Sequence, residues 1–354
     1  DGVGDLADLH AGQPVEAFDE VALIIQRGHD RQAVLFAQSE ILGPGALDLL
    51  QRLAVSNMDR PDGAVIYTQL CNARGGIEAD VTFTRLGRDR FVMVTGSGFG
   101  VHDGDWLRRH LPADGSVQMI EVTSGWAVLN LVGPASRKVL ADASESDVSD
   151  AALPFATARA IVIGAAPVRA ARIGYVGELG YEIYIPTEFA LHVYDRLRTA
   201  GQAHGIADVG YRAIESLRME KGYVYWSGDI SPDYTPYEAG LGFRVHLKSK
   251  GDFIGRAALE AQKAQGVARR LCTFATPDNL PLTGGETIRA GEEVVSLVTS
   301  AAFGPTVGRT ILRGYLAREH WDREAFTLEV FGDRHAIRQV AGPLYDPGNE
   351  RLKG

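Results

Sequence analysis

The chain has 354 residues, 45% of them hydrophobic, and its 36 Lys+Arg against 45 Asp+Glu give a formal net charge of −9. Such a balance is globular and long enough for two or three domains. Its acidity argues against a nucleic-acid partner, which needs a basic face, and no stretch approaches the ~20 apolar residues of a membrane span.

In chain order, the first clear strand signal is Ala64 to Leu70, followed by a turn-like Asn72-Ala73-Arg74-Gly75-Gly76. Ile77 to Arg85 then alternates, and Arg90 to Thr95 reads RFVMVT, so the three runs predict a meander. Gly96 to Gly104 reads as a loop, and Asp105 to Leu111 as a short helix. Strands follow at Gln118 to Val122 and Trp126 to Val132. SRKVLADA, from Ser136, has helical spacing, and strands are expected at Ala160 to Ile163, Val168 to Ile173 and Tyr181 to Ile185. Helices are predicted after Pro186, stopping at Gly205, and over Gly210 to Lys221, stopping at Gly222. Ala257 to Arg270 is the linker or linking helix. Beyond it, Leu271 to Phe274, Glu293 to Ser300, Gly308 to Leu316 and Phe326 to Val330 fit a small β-barrel or sandwich. The order is α+β rather than alternating β/α, and no repeat of 20–50 residues is evident.

Several familiar chemistries lack their motifs. GSGFG at Gly96 to Gly100 fails the dinucleotide pattern, and the chain has no phosphate loop, H-E-x-x-H or G-x-S-x-G. The nine histidines have no ligand spacing, so no metal site is expected. Cys71 and Cys272 are too few for a disulfide framework or a four-ligand zinc site and read as buried small hydrophobes. The N-terminal Asp1-Gly2-Val3 has neither the basic nor the apolar segment of a secretion signal, which makes the cytoplasm the default location. Glycine is the composition outlier, with 41 residues against a usual ~7%.

Three stretches carry chemistry. In GGIEADVTFT, from Gly75 to Thr84, alternation puts Glu78, Asp80 and Thr82 on one face and Ile77, Ala79, Val81 and Phe83 on the other. Asp80 is then either a solvated strand carboxylate or a cavity group able to act by acid–base chemistry or by stabilising a developing cation. RIGYVGELGYEIYIP, from Arg172 to Pro186, concentrates Tyr175, Glu178, Tyr181, Glu182 and Tyr184. It reads as a structural hairpin or as a site for a flat heterocycle, which stacks on the tyrosines while a carboxylate accepts its N–H bonds. Ser216 to Gly242 ends a helix with Arg218, Glu220 and Lys221 and continues into a loop rich in Tyr and Trp, which is functional or an interdomain connector.

These stretches together resemble the folate-binding half of dimethylglycine and sarcosine dehydrogenases, within the glycine-cleavage T-protein (aminomethyltransferase) superfamily. The resemblance runs in order through HDRQAVLFAQS, GPGALDLLQRL, YTQLCNARGGIEADVTFTRLGRDRFVMVTG, YVGELGYEIYIPTEFALHVYDRL and SLRMEKGYVYWSGDISPDYTPYEAGLGF, from about Arg31 to Pro347. It implies a three-domain, cloverleaf-like fold around a channel for tetrahydrofolate. The expected division is a folate-binding region over 1–256, with a second subdomain inserted at about 60–134, and a β-barrel over 257–354. By motif position, Asp80 matches the family's essential aspartate, and Tyr175 and Glu182 match its pterin-binding pair. Glu178, Arg218, Tyr223 and Thr95 fall in the same signature stretches as pocket or structural residues.

The implied activity moves a methyl-derived carbon from a small methylated donor, favoured as dimethylglycine or sarcosine, to tetrahydrofolate. Alternatives are an O- or S-demethylase giving 5-methyltetrahydrofolate, or a folate-binding subunit without turnover. A flavin-dependent oxidoreductase domain or subunit is the expected partner, because the chain itself has no G-x-G-x-x-G. Two further departures stand out: the pattern is shortened between Ser39 and Ile41, and KGY is followed by Val224-Tyr225-Trp226 where a His often stands. Folate-dependent relatives with a Cys-containing KGCYxGQE-like segment are disfavoured, since no Cys lies near Lys221.

Overall fold

In the computed structural model the described residues are Ala22–Ile25 and 36–354; the part of HDRQAVLFAQS before Phe36 lies outside them. Strand β1 (Ala22–Ile25) is followed by a unit made of β2 (Phe36–Leu42), α1 (Ala46–Leu53), β3 (Val65–Cys71), β4 (Ile77–Gly87), β5 (Arg90–Gly96), α2 (Gly100–Arg108) and β6 (Gln118–Glu121). Its sheet order is β3-β4-β5-β2-β6. A second unit follows with the same plan: β7 (Trp126–Val132), α3 (Ser136–Ala143), β8 (Ala158–Ile163), β9 (Ala166–Ala171), β10 (Gly180–Pro186), α4 (Ala190–Gly201) and β11 (Ala207–Val209). Here the order is β11-β1-β7-β10-β9-β8, with β1 between β7 and β11.

The two units are a duplication. Elements that start at 36, 46, 90 and 100 recur at 126, 136, 180 and 190, and the positive φ of Gly43 returns at Gly133. The repeat lies well outside the 20–50-residue range of solenoid periods, and few side chains are shared between the copies. Each copy places its helices on one face of its sheet. Leu49, Leu50 and Leu53 of α1 bury against Phe83, Phe91 and Met93, and Val139, Leu140, Val193 and Leu197 do the same against Tyr181, Ile183 and Ile185. The other faces meet each other through Val65, Val92, Val94, Val128 and Tyr184. The result is a helix–sheet–sheet–helix stack, in which each strand has one face for its own helices and one for the opposite lobe.

Three expectations need correction. The sheet inserted between β1 and β7 is built from 36–121 rather than about 60–134, because β2 pairs with β5 from Phe36↔Gly96 to Leu42↔Arg90. That same unbroken pairing spans the shortened Ser39–Ile41 region. Gly96 to Gly104 is not a loop: a 3-10 turn at Ser97–Phe99 leads into α2 at Gly100. Gly100 is there for close approach, since a Cβ on it would lie 2.5 Å from the Ala37 Cβ. Glu293 to Ser300 divides into two strands at a corner.

That corner belongs to the third sheet, reached through α5 (Tyr211–Lys221), a long irregular stretch and α6 (Arg256–Gln265). The irregular stretch is pinned to the first lobe by His246 N–H to Val55 O (3.0 Å) and Ile254 N–H to Arg52 O (2.9 Å). The third sheet contains β12 (Arg269–Thr276), β13 (Thr287–Ala290), β14 (Glu293–Leu297), β15 (Ser300–Gly304), β16 (Arg309–Ala317), β17 (Ala325–Val330) and β18 (Asp333–Val340), in the order β14-β13-β17-β18-β12-β16-β15. It curls into a half-barrel around Phe274, Ile288, Leu312 and Leu328. The curl brings β14 onto β16 so closely that a Cβ at Gly314 would lie 2.8 Å from Leu297 O. The C-terminal segment then returns to α5, where Leu344 and Tyr345 N–H donate to Glu220 O, both at 3.1 Å, and to the second lobe, where the Tyr345 hydroxyl donates to Glu178. Among the described residues no helix is long and apolar enough to cross a membrane.

Candidate functional site

The functional side chains follow from strand alternation at the place where the two inner sheet faces part. On β4, Ala79, Val81 and Phe83 are buried in the first lobe's own core, and Ile77 beneath the irregular stretch after α5. Asp80 and Thr82 therefore point the other way, into a cavity of about 1120 Å3 that reaches from the two lobes to the third sheet. Gln69 sits directly opposite Asp80 on β3 and donates its Nε2–H to Oδ1 at 2.8 Å. Tyr67, two residues earlier and on the same face, also hydrogen-bonds the carboxylate. Burial pushes the Asp80 carboxyl up to about 6; the bonds from Gln69 and Tyr67 oppose the rise, nearby Asp103 adds to it and Arg244 opposes it. A carboxylate so held is ionised at neutral pH yet close enough to its own pKa to exchange a proton.

The second lobe supplies Glu182 from β10. Tyr181, Ile183 and Ile185 of that strand fill the core under α3 and α4, which leaves Glu182 and Tyr184 for the inner face. Tyr184 donates its hydroxyl to Glu182 Oε2 at 2.5 Å, and Asn130 stands opposite on β7. Burial raises the Glu182 carboxyl to about 7, with the Tyr184 bond holding it back.

Aromatic groups complete the cavity. Tyr175 and Tyr223 stack with ring centroids 5.7 Å apart and planes 14° off parallel, and the Tyr175 hydroxyl donates to Val224 O. Trp226 meets Phe99 of the first lobe edge-on at 6.0 Å. The Val224-Tyr225-Trp226 segment thus closes the cavity against both lobes. Arg244 lies over the Tyr67 ring at 5.3 Å and over Phe243 at 4.9 Å. Acceptor carboxylates on two walls and exposed ring faces between them suit a flat ligand rich in N–H donors.

Of the residues singled out from sequence, Asp80, Thr95, Tyr175, Glu182 and Tyr223 line this one cavity. Thr95 gives its hydroxyl proton to buried Asp103 at 2.5 Å, so toward the cavity it offers only lone pairs. Glu178 and Arg218 are elsewhere. Glu178 is buried against Tyr345, whose hydroxyl it accepts, and burial raises its carboxyl. Arg218 lies wholly buried behind the wall, where it binds Glu215, the Tyr223 carbonyl at 3.2 Å, Asp229 at 3.0 Å and Ser300 Oγ at 3.2 Å. It fastens α5 and the Tyr223–Trp226 loop to the third sheet. Arg218→Lys, which cannot reproduce the planar fork, should cost roughly 2 kcal/mol of stability; a chemical-denaturation midpoint equal to the wild type would contradict that role.

Residues that sequence reasoning missed include Tyr67, Gln69, Asn130 and Arg313. Gln69 and Asn130 become visible only through strand register, which places them opposite Asp80 and Glu182. Among the described residues no group of His, Cys, Asp and Glu is arranged to hold a metal ion.

Fold and site together define a duplicated two-lobe protein with a half-barrel cap and a carboxylate-lined ring cavity. The chain belongs to the glycine cleavage T-protein family: residues 32–249 match the GCVT N-terminal domain and 269–346 the glycine cleavage T-protein C-terminal barrel domain. It is 35% identical to an aminomethyltransferase of Halothermothrix orenii over 278 residues, covering 77% of this chain and 76% of that one. It is 34% identical to mitochondrial sarcosine dehydrogenase of Mus musculus over 341 residues, covering 90% of this chain but 37% of the relative. The chain thus spans little more than a third of that dehydrogenase. Among solved structures, the glycine cleavage system aminomethyltransferase T from Bartonella henselae superposes with a TM-score of 0.80 at 26% identity, over 93% of this chain and 87% of that one.

Proposed function

We propose that the chain is a tetrahydrofolate-dependent one-carbon transferase that takes a methyl-derived carbon from a small methylated amine of the dimethylglycine or sarcosine type. The observation that carries this reading is the placement of Asp80 and Glu182, from opposite lobes, on one cavity with the Tyr175–Tyr223 stack. The lining suits a reduced pterin: Glu182 and Thr95 offer acceptors for its N–H groups, and the rings offer stacking faces. When bound, tetrahydrofolate supplies the amine nitrogens that receive the carbon. Asp80, fixed by Gln69 and Tyr67, orients such a nitrogen, takes up its proton and stabilises positive charge that develops beside it. The closure of Trp226 on Phe99 keeps water from the electrophilic carbon.

A flavin-dependent oxidoreductase domain or subunit would oxidise the donor's methyl group. Mass spectrometry of the folate formed from isotopically labelled dimethylglycine, with such an oxidase present, tests the proposal. The expected product is 5,10-methylenetetrahydrofolate at a rate above spontaneous capture. Methyltetrahydrofolate would instead mean transfer of an unoxidised methyl group, and no acceleration would remove catalysis from the reading.

A further inference from the structure

The cavity wall holds a buried arginine whose guanidinium makes one long ion pair and, among the described residues, no hydrogen bond. Arg313, on β16, is 4% exposed and lines the cavity, yet its Nε is buried without a hydrogen-bond partner. Its one charged neighbour within 4 Å among the described residues is Asp229, whose Oδ2 lies 3.8 Å from Nη1, beyond hydrogen-bonding distance. Asp229 has no acceptor capacity to spare. Oδ2 already takes Arg218 Nη1 at 3.0 Å and the Tyr225 N–H at 2.9 Å, and Oδ1 takes the hydroxyls of Thr299 at 2.6 Å and Ser300 at 2.7 Å. The other cavity arginines are occupied differently. Arg244, whose Nε is also unpartnered, is only half-buried and sits between two rings, Arg270 lies over Trp321 at 4.6 Å, and Arg323 Nε donates to Ala325 O at 2.8 Å.

Burying a guanidinium without hydrogen bonds costs several kcal/mol unless a ligand completes it. The surroundings leave room for one. Gly222, whose φ is +76°, would place a Cβ 3.3 Å from Arg313 Nη2, so any side chain there would cover the guanidinium. Arg313, Tyr175 and Asp80 line the same cavity. The cavity volume also exceeds the ~300–1,000 Å3 of a pocket for one drug-sized ligand.

We propose that Arg313 is the carboxylate anchor of this cavity. A planar guanidinium on a cavity wall matches a carboxylate in a two-point, charge-assisted pair. Two carboxylates can reach it, that of an amino-acid donor or that of a folate glutamyl group. The inference deepens the folate reading, since it assigns a further ligand group to the same site.

Calorimetric titration of the wild type and Arg313→Met with N,N-dimethylglycine, with tetrahydrofolate and with 6,7-dimethyltetrahydropterin tests it. The expected result is a loss of at least about tenfold in affinity for one of the first two, with the carboxylate-free pterin unaffected. Loss for dimethylglycine places the donor's carboxylate on Arg313; loss for tetrahydrofolate alone places the glutamyl group there. Unchanged affinity for both, or binding of neither by the wild type, overturns the proposal. If the wild type binds dimethylglycine through Arg313 but neither folate nor pterin, the folate reading fails and the anchor stands. Should Arg313→Met not fold, phenylglyoxal labelling of the wild type provides a second measurement: dimethylglycine or tetrahydrofolate should protect the Arg313 peptide, and undiminished labelling with both overturns the assignment.

Discussion

Asp80→Asn should lower the rate of one-carbon transfer by roughly a thousandfold while changing tetrahydrofolate affinity by less than about threefold. The asymmetry follows from geometry. Gln69 and Tyr67 hold the carboxylate in place as donors, and an Asn of the same size keeps a carbonyl that accepts the Gln69 bond, so the cavity keeps its shape. What the substitution removes is the negative charge and the capacity to take a proton. Both matter while the carbon is in transit and little in the resting complex, so kcat falls and KM stays. The wild-type rate should also decline as pH drops through about 6, where Asp80 takes up its proton, and the Asp80→Asn variant should lose that limb of the profile. Single-turnover measurements of folate product across pH 5 to 8 decide the matter. A wild-type rate in the variant would move the chemistry elsewhere in the cavity.

How much of this could be read from sequence depends on what kind of information fixed each part. The alternation of Ile77 to Arg85 was enough to put Asp80 on the face away from the core, because one apolar residue in two specifies a strand's orientation. It could not say what the other face meets, since that requires the second lobe. The Gly96 to Gly104 segment misled for a related reason. Its glycines lower helix propensity, but Gly100 lets α2 pack directly onto Ala37, a contact made through the fold and invisible along the chain. Glu178 and Glu182 looked equivalent in RIGYVGELGYEIYIP. Only the start of β10 at Gly180 separates them, leaving Glu178 in the preceding turn against Tyr345 and Glu182 in register with Asn130.

The duplication explains why the site has one carboxylate per lobe. Val92 pairs with Thr84 in the first lobe, and the matching pair in the second is Glu182 with Ala171. Val92 is thus the counterpart of Glu182, and, counting four residues back along the neighbouring strand, Pro167 is the counterpart of Asp80. Each lobe carries a charge where its copy carries an apolar residue. The two carboxylates thus stand at different positions of the repeat, so neither is bound to repeat the other's task.

Glu182→Gln should show the cost of that second task. A carboxyl whose folded pKa lies above its unfolded value contributes full stability below the unfolded value and loses that contribution as pH rises through the folded one. Glu182 is raised from 4.5 to about 7 by burial, so ionising it in the empty cavity costs roughly 3 kcal/mol by pH 8. Gln retains an acceptor for the Tyr184 hydroxyl and carries no charge to desolvate. The ligand-free variant should therefore melt several degrees above the wild type at pH 8 and level with it near pH 4. Tetrahydrofolate affinity at pH 8 should fall by roughly 10- to 100-fold, the scale of losing a charged hydrogen-bond acceptor. Gain of stability with loss of binding is the signature of a charge kept for a ligand. Equal melting temperatures at pH 8 together with unchanged affinity would make Glu182 an ordinary buried polar group.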